Sequence, residues 1–415
     1  MLISSCGKDK TIDNTWKTIP QEAITISSGD VLLTVNDVEA TKGDIKVVAK
    51  SADKAEITLN NIVPGYSAVT VVTSLKKEES SVYSFEGSVK LNDGPTFISL
   101  KSDMIPYIYE VNVKGTIDLD GKVNAKVTTA ISNQFKGGME GTWSLNRTAP
   151  VKDEQVTTGP LWITWSFSDT KYAGATTIAQ FGGTILGGAL TNYLNDVTFH
   201  ADGNITAKYW EDEEGGDAST DEGSSITNVL SANMPELDEK GENYVYGNTH
   251  EDKWYDSPKA NYAFWFVRDG MLYVVPNSAL LSDGSDDEQI DLGSLSESLQ
   301  ALSKVGVDVT TLTAEIMKIA QNGFALKYSQ EADALKIYVD KSQCDPIINA
   351  FIPALPVLDQ MLEELSKSED EDDQQTYQII NMVLGMLGLE KPSDFEAMWK
   401  ATTDFQIELN LIKNK

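Results

Sequence analysis

From Ile24 to Asn146 apolar and polar residues alternate with a period of two, in short runs broken every 8–12 positions by turn residues. Asp30-Val31-Leu32-Leu33-Thr34-Val35, Ala55-Glu56-Ile57-Thr58-Leu59 and Tyr83 to Leu91 are such runs. Tyr109 to Leu119 and Val123 to Val127 follow, joined through Asp120-Gly121, a hairpin signal. No long helical pattern interrupts them. The spacing predicts an antiparallel barrel or sandwich over residues 22–150.

After the polar, Pro-flanked stretch Val151 to Gly159 the pattern changes. Gly174 to Leu194 reads as a helix. Three hairpins are predicted beyond it: Val197–His200 with Ile205–Trp210, Asn261 to Val275, and Phe324 to Val339. The last two look like weak copies of one unit. Helices are expected at Leu292–Lys304, Thr310–Gln321, Gln375–Leu389 and Ser393–Ala401. Another is expected from Asp345-Pro346 to Ser366, with Asp345 as N-cap and a kink at Pro353 and Pro356. Phe405 to Leu411 alternates as a strand. The whole reads as α+β: residues 1–21 as a tether, 22–150 as an all-β domain, and 151–415 as an acidic α+β domain, with a sub-boundary near 282–291.

Charge sharpens this division. The net charge is −30. Residues 1–150 hold 16 Lys and Arg against 18 Asp and Glu, and residues 151–415 hold 17 against 45. Nucleic acid is excluded as a partner, because its affinity rests on Lys and Arg neutralising phosphates. Three acidic runs, Glu211–Asp217, Asp283–Glu288 and Glu369–Asp373, lack the register of a calcium loop and read as solvated segments.

Candidate chemistry is sparse. With two histidines, His200 and His250, no His-rich metal site can form. The sequence calls for no cofactor. Cys344, ahead of a predicted helix, reads as a small buried thiol, and no G-x-S-x-G elbow is present. The glycines of Gly182–Gly188 lack a phosphate-binding pattern and fit close packing of a helix on a sheet. Five of the eight tryptophans fall between Trp162 and Trp265. Among the aromatics, Trp254 and Tyr255 with Tyr209 and Trp210 are the candidate ligand platform. A catalytic reading would rest on a carboxylate pair, and the 63 acids offer many such pairs.

Near the start, Leu2-Ile3-Ser4-Ser5-Cys6 has the order of a lipobox, with Cys6 as the lipidated residue, and a polar tether follows. In layout the chain resembles uncharacterised outer-membrane lipoproteins of Bacteroidetes that carry a calycin-like β domain. The resemblance is carried by Ser4-Ser5-Cys6, Phe85-Glu86-Gly87, Val113 to Ile117, Leu194 to Phe199, Ala201 to Ala207, and Ser257-Pro258-Lys259 leading into Arg268 to Tyr273. It implies export, attachment to the membrane by lipid alone, and a periplasmic or surface location. It assigns no catalytic or ligand residue. The expected function is a lipid-anchored binding or interaction protein for a glycan, lipid or protein. A carboxylate-dependent glycan hydrolase and a structural or adhesive surface protein are the alternatives.

Overall fold

The computed structural model describes residues 13–78, 81–92, 107–152, 155–210, 232–247, 253–277 and 292–414. Cys6, His250 and the acidic runs at 211–217 and 283–288 lie outside the described residues.

The alternating N-terminal runs form nine strands: β1 (Ala23–Thr25), β2 (Val31–Val35), β3 (Val38–Glu39), β4 (Asp44–Ser51), β5 (Lys54–Asn60), β6 (Ala68–Lys77), β7 (Val82–Leu91), β8 (Tyr109–Asp118) and β9 (Val123–Ile131). They make one curled half-barrel sheet in the order β1-β4-β5-β6-β7-β8-β9-β2-β3. Pairing is antiparallel, apart from β2 against β9, which is parallel with Val31 opposite Val123. The two edge strands, β1 and β3, are three and two residues long, which limits edge-to-edge pairing with other chains. Period two turns Ile45, Val47, Ile57, Leu59, Val69 and Val71 to the inside, where each is fully buried.

The second sheet starts before residue 150. It contains β10 (Gly141–Leu145), β13 (Leu161–Phe167), β14 (Leu194–Phe199), β15 (Ile205–Tyr209), β18 (Tyr255–Asp256), β19 (Ala263–Arg268), β20 (Met271–Pro276), β21 (Phe324–Glu331), β22 (Ala334–Asp340) and β23 (Thr402–Lys413). The two similar hairpins of the sequence, β19-β20 and β21-β22, lie side by side in it, joined through β20 and β21. Strand β23 is shared along one edge: its first part pairs with β13 and its last residues with β10. Asn410 sits where the partner changes, its N–H donating to the Pro160 carbonyl (2.8 Å) and its side chain to the Gly159 carbonyl (2.8 Å). A bridge between Asn204 and Phe264 brings the β14-β15 turn against the edge strand β19. A smaller four-stranded sheet is built from β11 (Thr148–Lys152), β12 (Gln155–Val156), β16 (Glu236–Leu237) and β17 (Asn243–Val245).

Helices pack on strands of the second sheet, as α+β. Helix α1 (Ala173–Tyr193) lies on β13, and its glycines set the distance. A Cβ on Gly183 would stand 2.8 Å from the Ile163 nitrogen, and one on Gly188 would fall 1.8 Å from the Asn233 carbonyl oxygen. Among the described residues the other helices are α2 (Leu292–Lys304), α3 (Val309–Asn322), α4 (Lys341–Phe351), α5 (Leu355–Lys367), α6 (Glu371–Leu387) and α7 (Phe395–Ala401). The expected kink falls at a 3-10 turn, Ile352–Ala354, which separates α4 from α5. Helix α4 begins earlier than Asp345. Asp340 caps it in a reciprocal box with Gln343, five residues before the Asp345 expected as the cap. Among the described residues no helix is long and apolar enough to cross a membrane.

Two cores result. The larger is continuous through both main sheets, from Ile57 and Phe85 to Trp143, Trp265 and Leu411. The smaller lies among α1, α5, α6 and α7, around Tyr172, Leu362, Leu384 and Met398. Trp165 joins it at its rim, with ring centroids 5.3 Å from Phe167 and 5.4 Å from Phe405.

Candidate functional site at the seam between the sheets

The larger core crosses from one sheet to the other at Tyr109 on β8. Its ring lies 5.7 Å from Phe264 and 6.0 Å from Phe266, and its O–H donates to the Trp265 carbonyl at 2.9 Å. Burial pushes the Tyr109 hydroxyl far above its ordinary pKa, so it remains a donor. Gly203, at φ 99°, allows this approach: a Cβ there would sit about 3 Å from both the Phe264 and Tyr109 rings.

Beside this apolar crossing runs a buried polar one. Asn36, in the β2-β3 turn, donates from Nδ2 to Thr129 Oγ1 (2.9 Å), and its Oδ1 accepts the Thr129 N–H (2.9 Å). Asn261, just before β19, is at the centre. Its Nδ2 donates to the Val35 carbonyl (3.0 Å), and its Oδ1 accepts from Asn36 (3.3 Å) and Asn204 (3.0 Å). Its N–H donates to Asn204 Oδ1 (3.0 Å), and its carbonyl accepts from Asn277 Nδ2 (3.2 Å). Asn36, Thr129, Asn204, Asn261 and Asn277 are all buried. Burial of so many amides is tolerated because each is paired. Asn36 (φ 51°) and Asn261 (φ 53°) hold left-handed backbone, which Asn adopts more readily than most residues.

The rim of the network is charged. Asp202 accepts the Asn204 N–H (3.0 Å) and pairs with Lys259 Nζ (3.0 Å). Burial pushes the Asp202 carboxyl up, but these hydrogen bonds outweigh it and hold it below the ordinary carboxylate range.

Against the same seam opens a cavity of about 200 Å³. Its walls include Val35, Asn61, Ile62, Asn261, Tyr262 and Asn277, with Glu39, Thr41 and Lys42 at its edge. Asn61 is a third left-handed asparagine, at φ 54°. Tyr262 is 64% exposed, so its ring is open to a ligand. The cavity therefore combines two asparagines of the buried network, Asn261 and Asn277, with the exposed Asn61, an aromatic face and a carboxylate, Glu39. A larger depression of about 400 Å³ lies on the strands β7 to β9, lined by Glu86, Asn112, Lys114 and Lys126. Its cations are already engaged, Lys114 by Glu86 at 3.6 Å and Lys126 by Asp37, and its floor is a sheet face. The seam is the better-built site.

The aromatic platform expected from sequence is distributed differently. Tyr209 and Tyr255 stand opposite each other in the β15-β18 pair, with ring centroids 6.3 Å apart. Trp210 and Trp254 come one residue later and one earlier, and strand alternation turns them to the other face. There Trp210 lies 6.1 Å from Tyr193, and the Arg147 guanidinium is 5.8 Å from the Trp254 ring. Arg147 is held by the carbonyls of Thr191, Leu194 and Gly247, so it is fixed beneath that ring. Tyr209 and Tyr255 thus pair with each other, while Trp210 packs against Tyr193 and Trp254 against Arg147.

His200 is half-buried on Thr206 (2.7 Å), and burial lowers its pKa. Cys344 lies inside the first turn and a half of α4, where burial and the nearby Asp340 and Asp345 carboxylates push its thiol up, away from a nucleophile's thiolate. Among the described residues no three His, Cys, Asp or Glu side chains converge as metal ligands would. The seam asparagines were missed in the sequence, although Asn36-Asp37 between β-prone runs is itself a tight-turn signal. No family model, no curated protein and no solved structure matches the chain.

Proposed function

We propose that the chain is a binding protein that captures the end of a hydroxylated ligand, such as the terminal ring of a glycan, in the seam cavity. The observation that carries this reading is the cavity's wall: an exposed Tyr262 ring beside carboxamides of Asn61, Asn261 and Asn277. An aromatic face suits the apolar side of a sugar ring, and the carboxamide of the exposed Asn61 offers a donor and an acceptor to hydroxyls. At about 200 Å³ the space is below the roughly 300–1,000 Å³ of a drug-sized pocket, so one ring or a chain end fits rather than a long oligomer. Hydrolysis would need two carboxyl groups facing each other about 5–10 Å apart. Among the described residues Glu39 is the one carboxylate in this wall, which favours binding over cleavage.

In the same reading Cys6 anchors the exported protein to an outer membrane by lipid, and the half-barrel is a calycin-like domain. The anchor rests on the lipobox order of Leu2 to Cys6. Saturation-transfer NMR against a panel of mono- and disaccharides tests the pocket. Transfer to at least one sugar, lost in Tyr262→Ala with the melting curve unchanged, is the expected result. Transfer that survives Tyr262→Ala, or none across the panel, rejects the site. Labelled palmitate entering the wild-type chain but not Cys6→Ser in a lipoprotein-processing host tests the anchor, and equal labelling rejects it.

A further inference from the structure

Helix α6 carries two apolar stripes. Tyr377, Ile380, Leu384 and Leu387 form the inward one, packed in the smaller core with Leu362 of α5. Ile379, Met382, Val383 and Met386 form another, at the i, i+3, i+4, i+7 spacing of a single helix face. These four are exposed by 51%, 59%, 41% and 54%. At 100° per residue their face lies on the far side of the helix axis from the inward stripe. Between Gln374 and Leu389 the sequence has no charged residue. A surface helix normally turns charged or polar side chains to water; α6 turns hydrocarbon and thioether to it. Helix α5, the other arm of this helical hairpin, adds exposed Leu358 and Met361, three residues apart.

The charge around these stripes identifies what can cover them. From Leu355 to Glu396 the sequence holds 11 Asp and Glu against two lysines. Both lysines are engaged, Lys367 with Glu363 at 2.5 Å and Lys391 with Asp359 at 3.8 Å. A second copy of the chain would bring the same acidic rim against itself, and an anionic lipid surface would be repelled. A cationic partner is attracted. Methionine, unbranched and polarisable, adapts to varied apolar shapes, and the stripe's spacing suits an apposed helix. We propose that the exposed face of α6, with its neighbours on α5, docks a basic amphipathic helix supplied by another polypeptide. The surface is distinct from the seam cavity, and the two readings stand or fall separately.

The test uses the full chain and two fluorescent synthetic peptides of about 18 residues, both made of Leu and Lys in equal composition. One has leucines on a single helical face, and its isomer is scrambled. Anisotropy titration should give the amphipathic peptide at least about tenfold tighter binding than the isomer. Met382→Gln with Met386→Gln removes apolar surface without changing charge and should weaken that binding about tenfold. Raising salt from about 50 to 300 mM should weaken it further. Equal binding of the scrambled peptide, or unchanged binding by the double variant, overturns the proposal. So does sedimentation showing a wild-type dimer that the double variant dissolves, since a second copy would then be the occupant.

Discussion

The N-terminal half-barrel and the α5-α6 hairpin use apolar residues in opposite ways. Along the middle of strands β4 to β6 alternate residues are buried, all of them apolar except Thr73, and the intervening ones are more exposed, so one pattern serves one core. In α6 the apolar residues exceed what the smaller core can take, and a whole second stripe remains in water. The difference teaches where to look for stability and where for association. Residues consumed by a core report on folding, whereas residues left over on a helix report on a partner.

The largest contrast should come from truncating one residue of each kind. Trp265 is fully buried and donates from Nε1 to the His200 carbonyl at 2.9 Å. Trp265→Ala should cost about 3–5 kcal/mol in urea unfolding or prevent folding. Met382→Ala, by contrast, should stay within about 0.5 kcal/mol. Equal losses for the two would erase the distinction between the regions.

A smaller but more specific loss is expected at the seam. Asn261→Ala removes a carboxamide and leaves the Val35 carbonyl, the Asn36 amide and the Asn204 amide each short of a partner. Leaving buried groups unmatched in this way should cost about 2–3 kcal/mol. A loss below about 0.5 kcal/mol would mean that the network is dispensable.

The smallest effect concerns the charged rim. The folded Asp202 carboxyl is held below its ordinary pKa, so its contribution is present above the unfolded value and fades as pH falls through the folded one. With an unfolded Asp near pH 3.9, Asp202→Asn should destabilise at pH 7 by below about 1 kcal/mol, and the gap from wild type should start to narrow below about pH 4. A gap that does not shrink as pH falls below about 4 would assign the effect to something other than the carboxylate's charge.

The strands of the half-barrel could be read directly, because a half-buried strand writes its burial into a period of two. Helix α1 and the hairpins β19-β20 and β21-β22 were equally plain. What could not be read were features set by distant partners. The parallel meeting of β2 and β9 joins residues about ninety positions apart, and no local pattern specifies it. The sharing of β23 between β13 and β10 likewise depends on Asn410 reaching Gly159. Asp340 was passed over as the cap of α4 because Pro346 drew the helix start toward itself. The aromatic platform combined neighbours in sequence, and strand alternation then parted Tyr209 from Trp210 and Tyr255 from Trp254. The seam itself escaped notice because asparagines in turns look like solvent-facing loop residues until the second sheet covers them.

The central claim is that the two main sheets share one core at a seam that Asn261 secures, and that the cavity exists because of that joint. Native-state amide hydrogen exchange tests it most directly. The amides of β8 and β19 should open with the same free energy in the wild-type chain. In Asn261→Ala both should fall together by about 2–3 kcal/mol. Protection that falls in β19 while β8 keeps its wild-type value would contradict it, since the sheets would then be separate units in mere contact.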